Sequence, residues 1–158
     1  ATDGGGDWTA GVLMARDPQG FVWIGDVTRF QLGPGRREAR IREVAAGDKA
    51  VWGSTRQFFN VDPGQAGKTQ KSAIAREWLP GFHVRGVPER GSAEARADPL
   101  AGQVAAGNVI CVEGPWVREF RAELEAFPRG VHDDQVAAAA MNYLALAGLL
   151  GRYAALVA

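Results

Sequence analysis

Two short stretches put acidic side chains where an apolar element meets a turn. Val61-Asp62-Pro63-Gly64 ends one apolar run, and Val131-His132-Asp133-Asp134 opens another. The first continues into Gly67-Lys68-Thr69, which matches the tail of a phosphate-binding loop of the form G-x-x-x-x-G-K-[ST]. Counting back from that tail, the position of the first glycine is held by Asp62. A carboxylate aimed at that spot repels phosphate unless a metal lies between them, so no nucleotide is expected at this domain. Two readings of the stretch remain. In one, Gly64 and Gly67 supply positive φ in a turn and Asp62 caps the following helix. In the other, Asp62 is a metal ligand delivered by a strand end.

The second stretch bears on that choice. One Asp at a helix N-cap stabilises the helix by about 1 kcal/mol, which explains one of Asp133 and Asp134 but not both. Adjacent carboxylates at the mouth of a buried helix repel each other unless a cation or solvent screens them, which favours a hard divalent ion such as Mg²⁺ or Mn²⁺. His132 beside them is expected as a supporting neighbour rather than a ligand. If the strand ending at Asp62 lies beside the helix starting at Asp133, the carboxylates form one cluster suited to two ions. Two ions about 3.5 to 4 Å apart activate a water and stabilise the leaving oxygen of a cleaved phosphodiester.

The elements that must position these acids follow from periodicity and turn chemistry. Trp8 to Ala15 and Phe21 to Phe30 read as a hairpin around Asp17-Pro18-Gln19-Gly20, which has type I turn preferences. Pro34 to Ala46 reads as a surface helix ended by Gly47. Phe58 to Val61, Phe82 to Val87 and Val109 to Val112 read as strands, the last holding Cys111 as a buried, inert residue. Thr69 to Leu79, Glu94 to Ala106, Pro115 to Phe127 and Asp133 to Leu150 read as helices, with Trp116, Phe120 and Leu124 spaced by four. The order is that of an α/β fold with an antiparallel hairpin followed by parallel strands, flanked by helices.

Composition sets outer bounds. At 158 residues the chain fits one domain, residues 1–158, whose stability must come from packing because a single cysteine allows no internal disulfide. Eighteen basic and eighteen acidic residues cancel, so any grip on nucleic acid has to be local. The start carries no signal peptide, and the apolar run from Val136 to Leu150 is broken by Asn142, too short for a membrane span of about 20 residues. A cytoplasmic protein without a membrane partner is the default expectation.

Strand-borne acids with a further acid on the last helix form the pattern of ribonuclease H-like nucleases. Four segments carry a closer resemblance: DGGGDWTAGVLMAR, VDPGQAGKTQ, ADPLAGQVAAGNV and PWVREFRAELEAFPRGVHDDQVAAA. Together they resemble the C-terminal nuclease domain of the large terminase subunit of tailed phages and prophages, and FP-x-G-x-HDDQV is the specific part. The resemblance implies a ribonuclease H-like mixed sheet and an endonuclease that cuts concatemeric double-stranded viral DNA during packaging. It implies a separate ATPase domain, absent here, and in the full-length protein the small terminase subunit and the portal as partners. Asp62 matches the acid at the end of the central strand, and Asp133 and Asp134 match the paired acids. The family's first aspartate would precede Ala1, placing the start of this chain within the first strand, unless Asp3 or Asp7 stands in for it. Relatives carry a lysine near Ala93 and an acid near Ala137, and this sequence departs from them at both.

The reading that results is metal-dependent cleavage of DNA. Asp62 and one of Asp133 and Asp134 would hold two Mg²⁺ or Mn²⁺ ions, and Lys68, Lys71, Arg85, Arg90 and Arg96 are the basic groups that could hold the backbone. The rival is a non-catalytic ribonuclease H-like module that clamps DNA or docks a partner; it would bind DNA equally well in chelator.

Overall fold

A computed structural model describes residues 8–149. They form two compact units, one of Gln31–Glu89 and one of Trp8–Phe30 with the chain from Arg90 onward. Among the described residues no helix is long and apolar enough to cross a membrane.

The second unit begins with the expected hairpin. Strands β1 (Thr9–Arg16) and β2 (Val22–Phe30) pair antiparallel, with Thr9 opposite Phe30 and Arg16 opposite Val22. Asp17 makes the turn: its carbonyl accepts from Gly20 N at 3.0 Å, and its carboxylate accepts from Phe21 N at 2.8 Å and Trp23 Nε1 at 2.9 Å. The Trp23 bond, with smaller help from the turn N–H groups, holds the Asp17 carboxyl below its ordinary range. Further along, Leu13 faces Asp26 while Met14 faces Ile24, so Gly25 is an extra residue in β2. A bulge of this kind reverses the inward and outward alternation beyond it. The buried positions of β2 accordingly run Val22, Ile24 and then Val27.

Strand β5 (Val109–Cys111) joins β2 in parallel, with Val22 opposite Val109, to give the sheet order β1-β2-β5. Helices α3 (Ala93–Ala105), α4 (Val117–Ala126) and α5 (Asp134–Leu146) complete this unit. Val22, Ile24 and Val27 pack with Leu100 of α3, Phe120 of α4, and Ala139 and Tyr143 of α5. Each large apolar side chain buried here contributes about 1.5–3 kcal/mol. Asn142, the polar residue within the apolar run of α5, donates its side-chain amide to the Val12 carbonyl. Cys111 is exposed rather than buried, because it ends a three-residue strand at the edge of the described sheet.

The first unit is a β-α-β arrangement with a long helix before it. Helix α1 (Pro34–Trp52) precedes β3 (Arg56–Val61), α2 (Gln65–Ala73) with a π-helical turn over Ile74–Trp78, and β4 (His83–Pro88). Strands β3 and β4 are parallel, Arg56 opposite His83 and Val61 opposite Pro88, which requires the intervening helix as a crossover. Ala45, Ile74 and Leu79 form the core, with Ile41, Phe59, Trp78, Phe82 and Val84 packed against them. Arg42 of α1 donates to the carbonyls of Trp78 and Glu77 at 2.7 and 2.6 Å, satisfying two groups that the end of the π-helical turn leaves open.

The end of α1 differs from the sequence reading. Helix α1 continues through Gly47 to Trp52, because a glycine inside a helix costs only about 1 kcal/mol and tertiary packing can override it. The stop is Gly53, at φ +77°, whose N–H donates to the Lys49 carbonyl at 2.9 Å. Among the described residues the hairpin and β5 make the expected mixed sheet, β1-β2-β5, and β3 and β4 make a parallel pair, each with its own helices.

Candidate active site

In the first unit, only Asp62, Pro63 and Gly64 separate β3 from α2. There is no extended glycine-rich loop here to wrap a phosphate chain; Gly67, Lys68 and Thr69 already lie in α2, four residues earlier than the helix start read from the sequence. Gly64 does take positive φ, +81°, as its turn requires. Gly67 does not, and is buried for another reason: a Cβ there would lie 1.9 Å from the Asp62 carbonyl oxygen. The helix backbone therefore rests directly on the strand end that carries Asp62.

Asp62 does not cap α2, whose N-cap is Gly64 with no side-chain cap bond. Its backbone N–H donates to Gln70 Oε1 at 3.2 Å, which pins the residue while its side chain stays exposed. Among the described residues no hydrogen bond or ion pair engages the Asp62 carboxylate, so both oxygens are open to a cation. Lys68 and Lys71 lie three apart on α2 and are exposed, as is Arg85 on β4.

In the second unit, Asp133 occupies the N-cap position of α5 and Asp134 is its first residue. Asp133 is exposed and makes no cap bond. The cap comes from a different helix: Glu123 of α4 accepts the backbone N–H of Gln135 at 2.7 Å and of Val136 at 3.3 Å on one oxygen, and the side-chain amide of Gln135 on the other. Glu123 is only 7% exposed and Gln135 2%. Arg29 stands near with Nη1 4.0 Å from the carboxylate, its guanidinium 3.9 Å from the Trp8 ring centre. The same ring meets His132 edge-on at 6.2 Å. Arg29 Nε and Nη2 are buried and have no hydrogen-bond partner among the described residues.

This surrounding tunes Asp134. Burial raises its carboxyl above the ordinary value, and the neighbouring charges of Glu123 and Asp133 push the same way against the pull of Arg29. A carboxyl so placed gains most from a cation that replaces its proton. The hard oxygen donors of Asp62, Asp133 and Asp134 suit Mg²⁺ or Mn²⁺. Within neither unit do three acidic, histidine or cysteine side chains among the described residues converge on one point. Arg90 is exposed just before α3; Arg96 on α3 donates to the Gly91 carbonyl at 3.0 Å. Asp3 and Asp7 lie outside the described residues.

Residues 1–146 match the family model of the terminase RNase H-like domain, a stretch that takes in both acidic positions and both units. The chain belongs to this family. A comparison with curated proteins returns no match. The terminase family accounts for an RNase H-like fold in which an antiparallel hairpin is joined by a parallel strand, and for a nuclease-type domain with DNA as the substrate class. RNase H-like nuclease domains typically use divalent metals, in keeping with the acids left free here.

Glu123, Arg29 and Trp8 were not among the candidates read from the sequence. A signal for Glu123 was present: it lies three residues after Phe120 and seven after Trp116, so an acid falls on the apolar face of α4. Arg29 had no such signal, because its inward direction depends on the bulge at Gly25.

Proposed function

We propose that this domain is the metal-dependent endonuclease of a terminase, cutting concatemeric double-stranded viral DNA during packaging, with the whole chain acting as one nuclease domain. Asp62, Asp133 and Asp134 are the acids that hold two Mg²⁺ or Mn²⁺ ions, which when bound supply Lewis acidity for phosphodiester hydrolysis. The observation that carries the reading is that Asp62 and Asp133 are spared from capping: Glu123 caps α5 in place of Asp133, and Asp62 caps nothing. Gln70 and Gly67 pin the backbone of Asp62. Lys68, Lys71, Arg85 and Arg90 contact DNA phosphates, with Arg96 a lesser contributor because it already bonds Gly91. The small terminase subunit and the portal are the protein partners, in the host cytoplasm.

The test is Mn²⁺-supported plasmid cleavage by the intact protein with Asp62→Asn, Asp133→Asn and Asp134→Asn. Loss of cleavage by at least 10²-fold in D62N and in one of the paired variants is expected, with DNA binding retained. Unchanged cutting by D62N would remove that residue from the mechanism. DNA binding undiminished in chelator, with no cleavage under any metal, would favour the inert clamp.

A further inference from the structure

We propose that Glu123 is a positioning residue for the metal-holding acids: by capping α5 from α4 it releases Asp133 from the capping role and fixes the first turn that carries Asp134. The inference rests on the reading of Asp133 and Asp134 as metal-holding acids.

An N-cap side chain accepts the N–H of the second or third helical residue. For α5 these are Gln135 and Val136, and Asp133 is the residue placed to do it. Glu123 Oε1 takes both N–H groups instead. Its second oxygen holds the Gln135 side chain, so the buried carboxylate is tied to this turn at three points. Arg29, braced on the Trp8 ring, supplies the opposing charge that a buried carboxylate needs. The geometry has a direct consequence: remove the Glu123 carboxylate and two N–H groups at the mouth of α5 lose their acceptor. The residue at the N-cap position, able to replace it, is Asp133, one of the acids the chemistry needs free. The helix can thus keep its cap by surrendering an acid.

Reach, not charge, is the property this role demands. Glu123→Gln keeps an acceptor oxygen at the same length, while Glu123→Asp keeps the charge and falls short by one methylene. In the intact protein, Glu123→Ala and Glu123→Asp are expected to raise the Mn²⁺ concentration for half-maximal DNA cleavage by about tenfold or more, and Glu123→Gln by no more than about threefold. Glu123→Ala is also expected to melt higher than Glu123→Ala/Asp133→Ala, because only the former retains a side chain able to take over the cap. Normal metal dependence in Glu123→Ala, or a normal Asp variant beside an impaired Gln variant, would overturn the proposal. So would equal melting temperatures for the single and double variants. Should Glu123→Ala fail to fold, the Gln and Asp pair decides alone. Asp133→Asn and Asp134→Asn, run in parallel, separate the two levels. If both cut normally, the metal reading falls and the inference with it; if either is dead while Glu123→Ala shows normal metal dependence, only the inference falls.

Discussion

Gly67→Ala tests how tightly the fold holds Asp62. A Cβ at this position would lie 1.9 Å from the Asp62 carbonyl oxygen, 3.0 Å from its carbon and 3.2 Å from Val61 Cγ2. Ordinary non-bonded contact needs about 3.5 Å, so helix and strand end must part by roughly 1.5 Å. The atom met first is backbone, which has no rotamer through which to escape. Replacing a helical glycine by alanine ordinarily gains about 0.5–1 kcal/mol, while forcing an extra carbon into a closed contact costs about 1–3 kcal/mol or more. The clash wins, and a urea midpoint lower by on the order of 1 M is expected. Function should suffer more than stability, because a displacement of about 1 Å at a reacting centre can cost about 10²-fold in rate. The assay is Mn²⁺-supported plasmid cleavage by the intact protein, with urea denaturation of the same preparation. A variant with the wild-type midpoint and rate would refute the reasoning, since it would mean that α2 does not rest on the Asp62 backbone.

Other consequences are simpler. Gly47→Ala, inside α1 where an added Cβ meets nothing within 4 Å, should stabilise the protein by about 0.4–1 kcal/mol, read as a higher urea midpoint with unchanged cleavage. Asp134 holds its proton more tightly folded than unfolded, chiefly through burial, so its share of stability is present below 3.8 and is lost as pH rises through the raised folded value. Asp134→Asn should therefore melt above wild type at neutral pH in metal-free buffer, with the difference closing in acid.

Much of the architecture was legible in one dimension. Turn residues at Asp17-Pro18-Gln19-Gly20 and the spacing of Trp116, Phe120 and Leu124 depend on local chemistry, and the elements formed where those signals lie. Two kinds of feature were not legible. Gly47 carries the local signal of a helix stop, but whether a glycine ends a helix depends on what the next turn packs against, and α1 runs on to Gly53. The segment Gln65 to Thr69 looks like loop by composition, yet it is helix because Gly67 permits a backbone contact that no local preference encodes.

The candidate site divides along the same line. The residue types and placement of Asp62, Asp133 and Asp134 at the ends of apolar runs are properties of the sequence, because a carboxylate's chemistry and an apolar run's need for burial are local. That the acids are free to act is a property of the fold. Asp133 could have capped its own helix, and only the arrival of Glu123 from α4 makes that unnecessary. Arg29 could have faced outward, and only the extra residue at Gly25 turns it toward Glu123. Capping by a distant side chain and the parity of a bulged strand both depend on partners far off in the chain, which no local pattern specifies.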